Sequence, residues 1–114
     1  MASGIRSGDA PFHVQVLTVA GNSQATAMAV SNLSSPALII AAGNSNGGIR
    51  LPKASKGKVY CIKNIGTQSM QVLLVYPDVG SQINILGVNQ PLSIALQSSR
   101  WVFSDGAGTW HTEV

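Results

Sequence analysis

Charge is scarce in this chain. Only 10% of its 114 residues are Asp, Glu, Lys or Arg, against about 25% in an ordinary soluble domain. A free monomer of this size keeps itself soluble with mixed surface charge, so the scarcity points to a subunit packed against other subunits. Cysteine is nearly absent too. Cys61 stands alone, which excludes an intrachain disulfide and any zinc site built on paired cysteines, and leaves the redox compartment open. Aromatic residues make up 5%. The longest apolar run, residues 37–42, is far too short to span a bilayer. The opening MASGIRSGDAPF has no apolar h-region, so synthesis and folding in a cytoplasm are expected.

What is present is aliphatic and amide-rich. Apolar residues reach 45%, led by 11 Val and 9 Ile, beside 14 Ser, 12 Gly, 7 Asn and 7 Gln. That apolar content argues against disorder. β-Branched residues favour pleated surfaces, and Gly, Pro and Asn interrupt at intervals too short for a long helix. Strands are expected at 13–19, 24–31, 38–42, 48–52, 58–65, 70–76, 83–86, 92–96, 100–104 and 109–113. Residues 24–31 read equally as a short helix, because Ala and Met favour one. GNSNGG at 43–48 is expected to be a turn, and Gly66-Thr67-Gln68 is expected to close a hairpin between 58–65 and 70–76. The fold class expected is all-β: a single antiparallel β-sandwich or jelly-roll-like domain of about eight strands at 13–114, preceded by an extended arm at 1–12. The stretch Val72-Leu73-Leu74-Val75 is apolar on both faces. Either both faces are covered inside the domain or one meets another subunit.

No catalytic constellation is legible. His13 and His111 lie nearly a chain apart, with no further ligands clustered for a metal. Ser104, Asp105 and His111 share one hairpin, but no nucleophile elbow is present. The four acidic residues sit in arm, turns and tail, which does not suit paired-carboxylate chemistry. Cys61 reads as a strand residue rather than a nucleophile. Arg50, Lys53, Lys56, Lys58 and Lys63 form a basic cluster with only Tyr60 among them. Nucleic-acid binding wants interleaved aromatics, so the cluster reads as a solvated loop plus edge-strand lysines. Trp101 and Phe103 share a strand face, with Trp110 across the turn. They suit either a sugar-stacking platform or a seal at a sandwich end or oligomer seam.

From Gly48 onward several landmarks recur together: Arg50-Leu51-Pro52, Lys63-Asn64-Ile65-Gly66, Val75-Tyr76-Pro77, Gly80 with Ile83-Asn84, Trp101 to Phe103, and Gly106 to His111. The run 48–112 resembles a family of small virion proteins of tailed bacteriophages, and SQATAMAV upstream resembles the strand before that block. Cys61 and Leu73-Leu74 depart from the pattern. The resemblance implies a β-sandwich subunit, often a homotrimer, acting as a capsid decoration or cement protein bound to the phage major capsid protein on the virion head. It implies no enzyme activity, no catalytic residues and no cofactor or metal, and neither a nucleic acid nor a membrane is expected as a partner. Ile5, Arg6 and Phe12 of the arm are the expected capsid contacts, and Leu73, Val75, Trp101 and Trp110 the expected trimer interface. The alternative is a tail-fibre or spike module that binds a host-surface carbohydrate or receptor.

Overall fold

A computed structural model describes residues 13–43, 45–54, 57–67, 69–84 and 86–113. Ile5, Arg6 and Phe12, with the rest of the 1–12 arm, lie outside them, as does Lys56 of the basic cluster. Among the described residues every regular element is a strand and none is a helix. The strands are β1 (His13–Thr18), β2 (Met28–Ala29), β3 (Ala37–Ala42), β4 (Gly47–Arg50), β5 (Val59–Asn64), β6 (Val72–Tyr76), β7 (Gln82–Ile83), β8 (Leu92–Ala95), β9 (Ser99–Ser104) and β10 (Thr109–Thr112).

They form two sheets, one of six strands in the order β1-β3-β5-β9-β10-β7 and one of four in the order β2-β4-β6-β8. The expected all-antiparallel pairing is overturned. β1, β3 and β5 stack in parallel, as do β2, β4 and β6. The chain lays one strand in the larger sheet, crosses to the smaller, and returns one position further on. That is the winding of a β-solenoid, in which each circuit rests on the previous one. Among the named strands, antiparallel pairing enters with β8 on β6 and β9 on β5, followed by the β9–β10 hairpin.

The expected hairpin between residues 58–65 and 70–76 is therefore absent. β5 and β6 lie in different sheets, and residues 65–71 carry the chain between them. Gly66 is needed there for room, not for a left-handed φ. A Cβ at Gly66 would stand 2.5 Å from Met70 Sδ and 2.6 Å from Met70 Cβ. Residues 24–31 contribute only the two-residue β2, because Thr26 and Ala27 N–H both turn back to Ser23 O. GNSNGG is likewise not all turn. Gly47 and Gly48 belong to β4, where a Cβ on Gly48 would crowd the Tyr76 ring at 3.1 Å.

Alternation within each strand supplies one core. The larger sheet contributes Ile39, Tyr60, Ile62, Val102 and Trp110; the smaller contributes Ile49, Leu73, Val75 and Ile94. Each fully buried large apolar side chain contributes about 1.5–3 kcal/mol. Tyr60 and Trp110 pack with ring centroids 5.4 Å apart. Their polar tips are satisfied: Tyr60 Oη donates to Leu33 O at 2.8 Å and Trp110 Nε1 to Pro52 O at 3.1 Å.

Candidate assembly surface

The side chains of the larger sheet that alternate away from the core form an apolar field. Register aligns them in rows across the strands. Val14 lies beside Leu38, Leu38 beside Cys61, and Cys61 beside Trp101. A second row runs Val16, Ile40, Lys63, Ser99. A third runs Val59, Phe103, His111. Leu38, Ile40, Val59 and Cys61 are half-buried by their neighbours, whereas Val14, Val16, Trp101 and Phe103 are exposed, Val16 by 65%. Lys63 is the one strand cation in the three rows, and its Nζ is turned to Gln97 O at 2.6 Å. A continuous apolar surface on a sheet face marks a place where another surface packs.

The expected trimer interface is corrected residue by residue. Leu73, Val75 and Trp110 are fully buried within their own chain. Their inward register leaves nothing for a second subunit to touch. Only Trp101 of the four lies on an exposed face, and it is joined there by Val14, Val16 and Phe103. The two-sided apolar character of β6 is covered within the chain only in part, and Val72 and Leu74 stay half-buried on its outer face. Leu73 and Val75 enter the core, while Tyr76 is covered by residues 20–24, its Oη donating to Asn22 O at 2.7 Å. The three-aromatic platform dissolves for the same reason: Trp110 pairs with Ser104 on the inner face, and Phe103 with His111 on the outer.

The residues weighed for chemistry are parted in the same way. His111 Nε2 lies 3.0 Å from Asp105 Oδ2 on the exposed tip of the hairpin. Ser104 is buried, and its Oγ accepts the Lys58 N–H at 2.9 Å on the opposite face. Asp105 works on the turn itself, its Oδ1 accepting the Ala107 N–H at 2.7 Å and the Thr109 N–H at 3.2 Å. The Ala107 bond first, then the His111 contact, with a smaller part from the Thr109 bond, hold its carboxyl below the usual carboxylate range. Among the described residues no three of His, Cys, Asp and Glu gather to hold a metal ion. A shallow 290 Å³ depression at the loop end is lined by Lys53, Ala54, Asp78, Val79 and glycines.

The basic cluster is scattered by the fold. Arg50 Nη1 donates to Gln24 O at 2.9 Å on the smaller sheet, and Lys58 Nζ to Leu33 O at 2.9 Å. Lys58 precedes, and Lys63 lies on, a central strand rather than the expected edge.

Cys61 lies in the middle of the first row. Burial pushes its thiol up, and the neighbouring Lys63 offsets part of that. Two asparagines that sequence reasoning did not single out hold the loops beside this sheet. Asn64, fully buried, donates Nδ2 to Ile94 O at 3.2 Å and accepts the Gly66 N–H at 3.0 Å. Asn84, at φ 49°, uses its amide as a strand would, bonding both backbone groups of Thr112 at 2.8 and 3.0 Å. Their only sequence signal was membership of the landmarks Lys63-Asn64-Ile65-Gly66 and Ile83-Asn84. No family model matches the chain, and no curated protein or solved structure is significantly similar to it.

Proposed function

We propose that the protein is a structural subunit of a tailed-phage virion: a capsid decoration protein that associates as a homotrimer and fastens to the outside of the assembled head. The observation that carries the reading is the uninterrupted apolar field Val14, Leu38, Cys61, Trp101 with Val16, Ile40 and Phe103. The 10% charge and the resemblance of residues 48–112 support it. The trimer contact is accordingly placed on this field, with Trp101 as the residue kept from the expected interface. The arm residues Ile5, Arg6 and Phe12 remain the proposed contacts to the major capsid protein. Cohesion then comes from added interface. About 800 Å² per partner suffices for a specific contact, and three linked contacts raise the effective affinity above that of one. The shell is stabilised because the ligand binds its assembled state and not its separated parts.

Two measurements test this reading. Light scattering coupled to size exclusion is expected to give about three times the 11.8 kDa chain mass, and a monomer at every concentration overturns it. Co-sedimentation with undecorated shells is expected to saturate for the full chain and to weaken strongly for a chain beginning at His13. Equal occupancy removes the arm from the capsid contact. The second reading, a fibre module that binds a glycan, rests on Trp101 and Phe103, exposed side by side. A glycan array read with and without Trp101→Ala separates the two.

A further inference from the structure

Among the described residues β1 is the edge of the six-stranded sheet, with β3 on one side only. In a strand paired in parallel, both backbone groups of one residue point to one side and those of the next residue to the other. The flanking bonds fix which is which. The His13 N–H donates to Pro36 O at 3.0 Å and the Val19 N–H to Ala42 O at 2.9 Å, so the odd-numbered residues face β3. Val14, Val16 and Thr18 therefore direct three N–H and three C=O groups outward from the edge.

Within the described residues this edge has none of the devices that usually blunt one. HVQVLT contains no Lys, Arg, Asp, Glu or Pro, and its register to β3 runs unbroken through all six residues. A long, uncharged, bulge-free edge with exposed apolar side chains is a template for another strand. A second copy of the same strand fits it. A two-fold axis normal to the sheet at Val16 sets the two β1 strands antiparallel. It places Val16 opposite Val16, and Val14 opposite Thr18 in both directions. All of these are outward-pointing residues, so every one of the three donors and three acceptors on each strand is used. Outer-face side chains meet outer-face side chains, and no charge meets a like charge because the strand carries none. The two-fold operation also closes, where a head-to-tail contact would propagate.

We propose that the β1 edge is a homotypic strand-addition site, where two copies pair antiparallel about Val16 and join their six-stranded sheets. This contact uses the backbone edge of β1, whereas the trimer contact uses the sheet face on which the Val14 and Val16 side chains also lie. At high concentration the edge contact links one trimer to the next.

The experiment reads the edge with the field removed. In the Trp101→Ser/Phe103→Ser protein, light scattering at high concentration is expected to give twice the chain mass, falling to one on dilution. In the same protein the Val14, Val16 and Thr18 amides are expected to exchange at least about tenfold more slowly when concentrated than when diluted. Adding Val16→Pro removes an N–H that points away from β3, so the fold is kept and the chain becomes monomeric. Val16→Thr keeps the donor and is expected to keep the dimer. The proposal is overturned if the double variant is monomeric throughout with fast exchange at those three amides. It is overturned equally if the amides are protected at every dilution in a single chain, or if folded Val16→Pro protein keeps the double mass. Should Val16→Pro not fold, the concentration dependence of the three amides decides. A normal trimer in the parent beside unprotected edge amides sinks this inference and leaves the trimer reading standing.

Discussion

At the scale of single residues, the polar groups inside this protein hold backbone. Asn64 is fully buried and joins three stretches of chain through its side chain and main chain. Replacing it with Ala leaves Ile94 O and the Gly66 N–H without their side-chain partners in the core. The expected cost is about 2–3 kcal/mol, read as a shift of the urea midpoint with unchanged slope. Cys61 offers a second test, on the outer face of the larger sheet rather than in the core. Its thiol is held above the usual range by burial, so a smaller fraction is thiolate at any given pH than in a free cysteine. Alkylation of the folded protein is expected to be slow near neutrality and to rise with a midpoint above that of the unfolded chain. If the Trp101 field is covered in the assembly, labelling slows further there and recovers in the Trp101→Ser/Phe103→Ser protein. Equal rates in both place Cys61 outside the interface. Both residues were visible in the sequence, but their roles were not. Alternation puts Cys61 on the face opposite Tyr60 and Ile62, but nothing local says that Leu38 and Trp101 flank it. Asn64 reads as a turn residue until the Ile94 carbonyl is placed beside it.

At the scale of elements, strands were legible where branched apolar residues alternate, as in β3, β5 and β8. In β8 Leu92 and Ile94 are buried, with Ser93 and Ala95 exposed. The terminal hairpin was legible as well, because its turn chemistry is local. Gly106 and Gly108 adopt φ of 78° and 99°, and Asp105 collects the turn amides. Partner choice was not legible. The same alternation serves a parallel or an antiparallel neighbour, so the link 65–71 passed for a hairpin when it is a crossing between sheets. The Asp105 turn carries a prediction in pH. Its carboxyl is lowered in the folded chain, so its contribution to the hairpin is present above the ordinary carboxylate pKa. That contribution is lost as pH falls through the lower folded value. Ala107 and Thr109 amide protection is expected to fade over that acid range in the parent. Asp105→Asn is expected to show weaker protection at neutral pH and no corresponding acid transition. An acid transition of the same size in Asp105→Asn assigns the effect to another group.

At the scale of the whole molecule, the winding decides which charges stand together. In the linear sequence five cations crowd into 14 positions, from Arg50 to Lys63, and they would suit a polyanion only if the fold kept them together. Solenoid-like stacking separates them, because residues 50 and 63 belong to different sheets. Arg50, Lys58 and Lys63 are each turned to a backbone carbonyl, of Gln24, Leu33 and Gln97. Those bonds fix three side chains in three directions. A phosphate backbone needs cations along one line, and each phosphate neutralised adds about 0.9 to the slope of log affinity against log salt. The prediction is that duplex DNA, followed by fluorescence anisotropy, binds with no resolvable salt slope, and that Lys53→Ala/Lys58→Ala changes nothing. A slope steeper than about −3 requires at least three phosphates engaged together. That result means the scattered cations converge in an assembled state, and the electrostatic surface then has to be redrawn on the oligomer rather than on one chain.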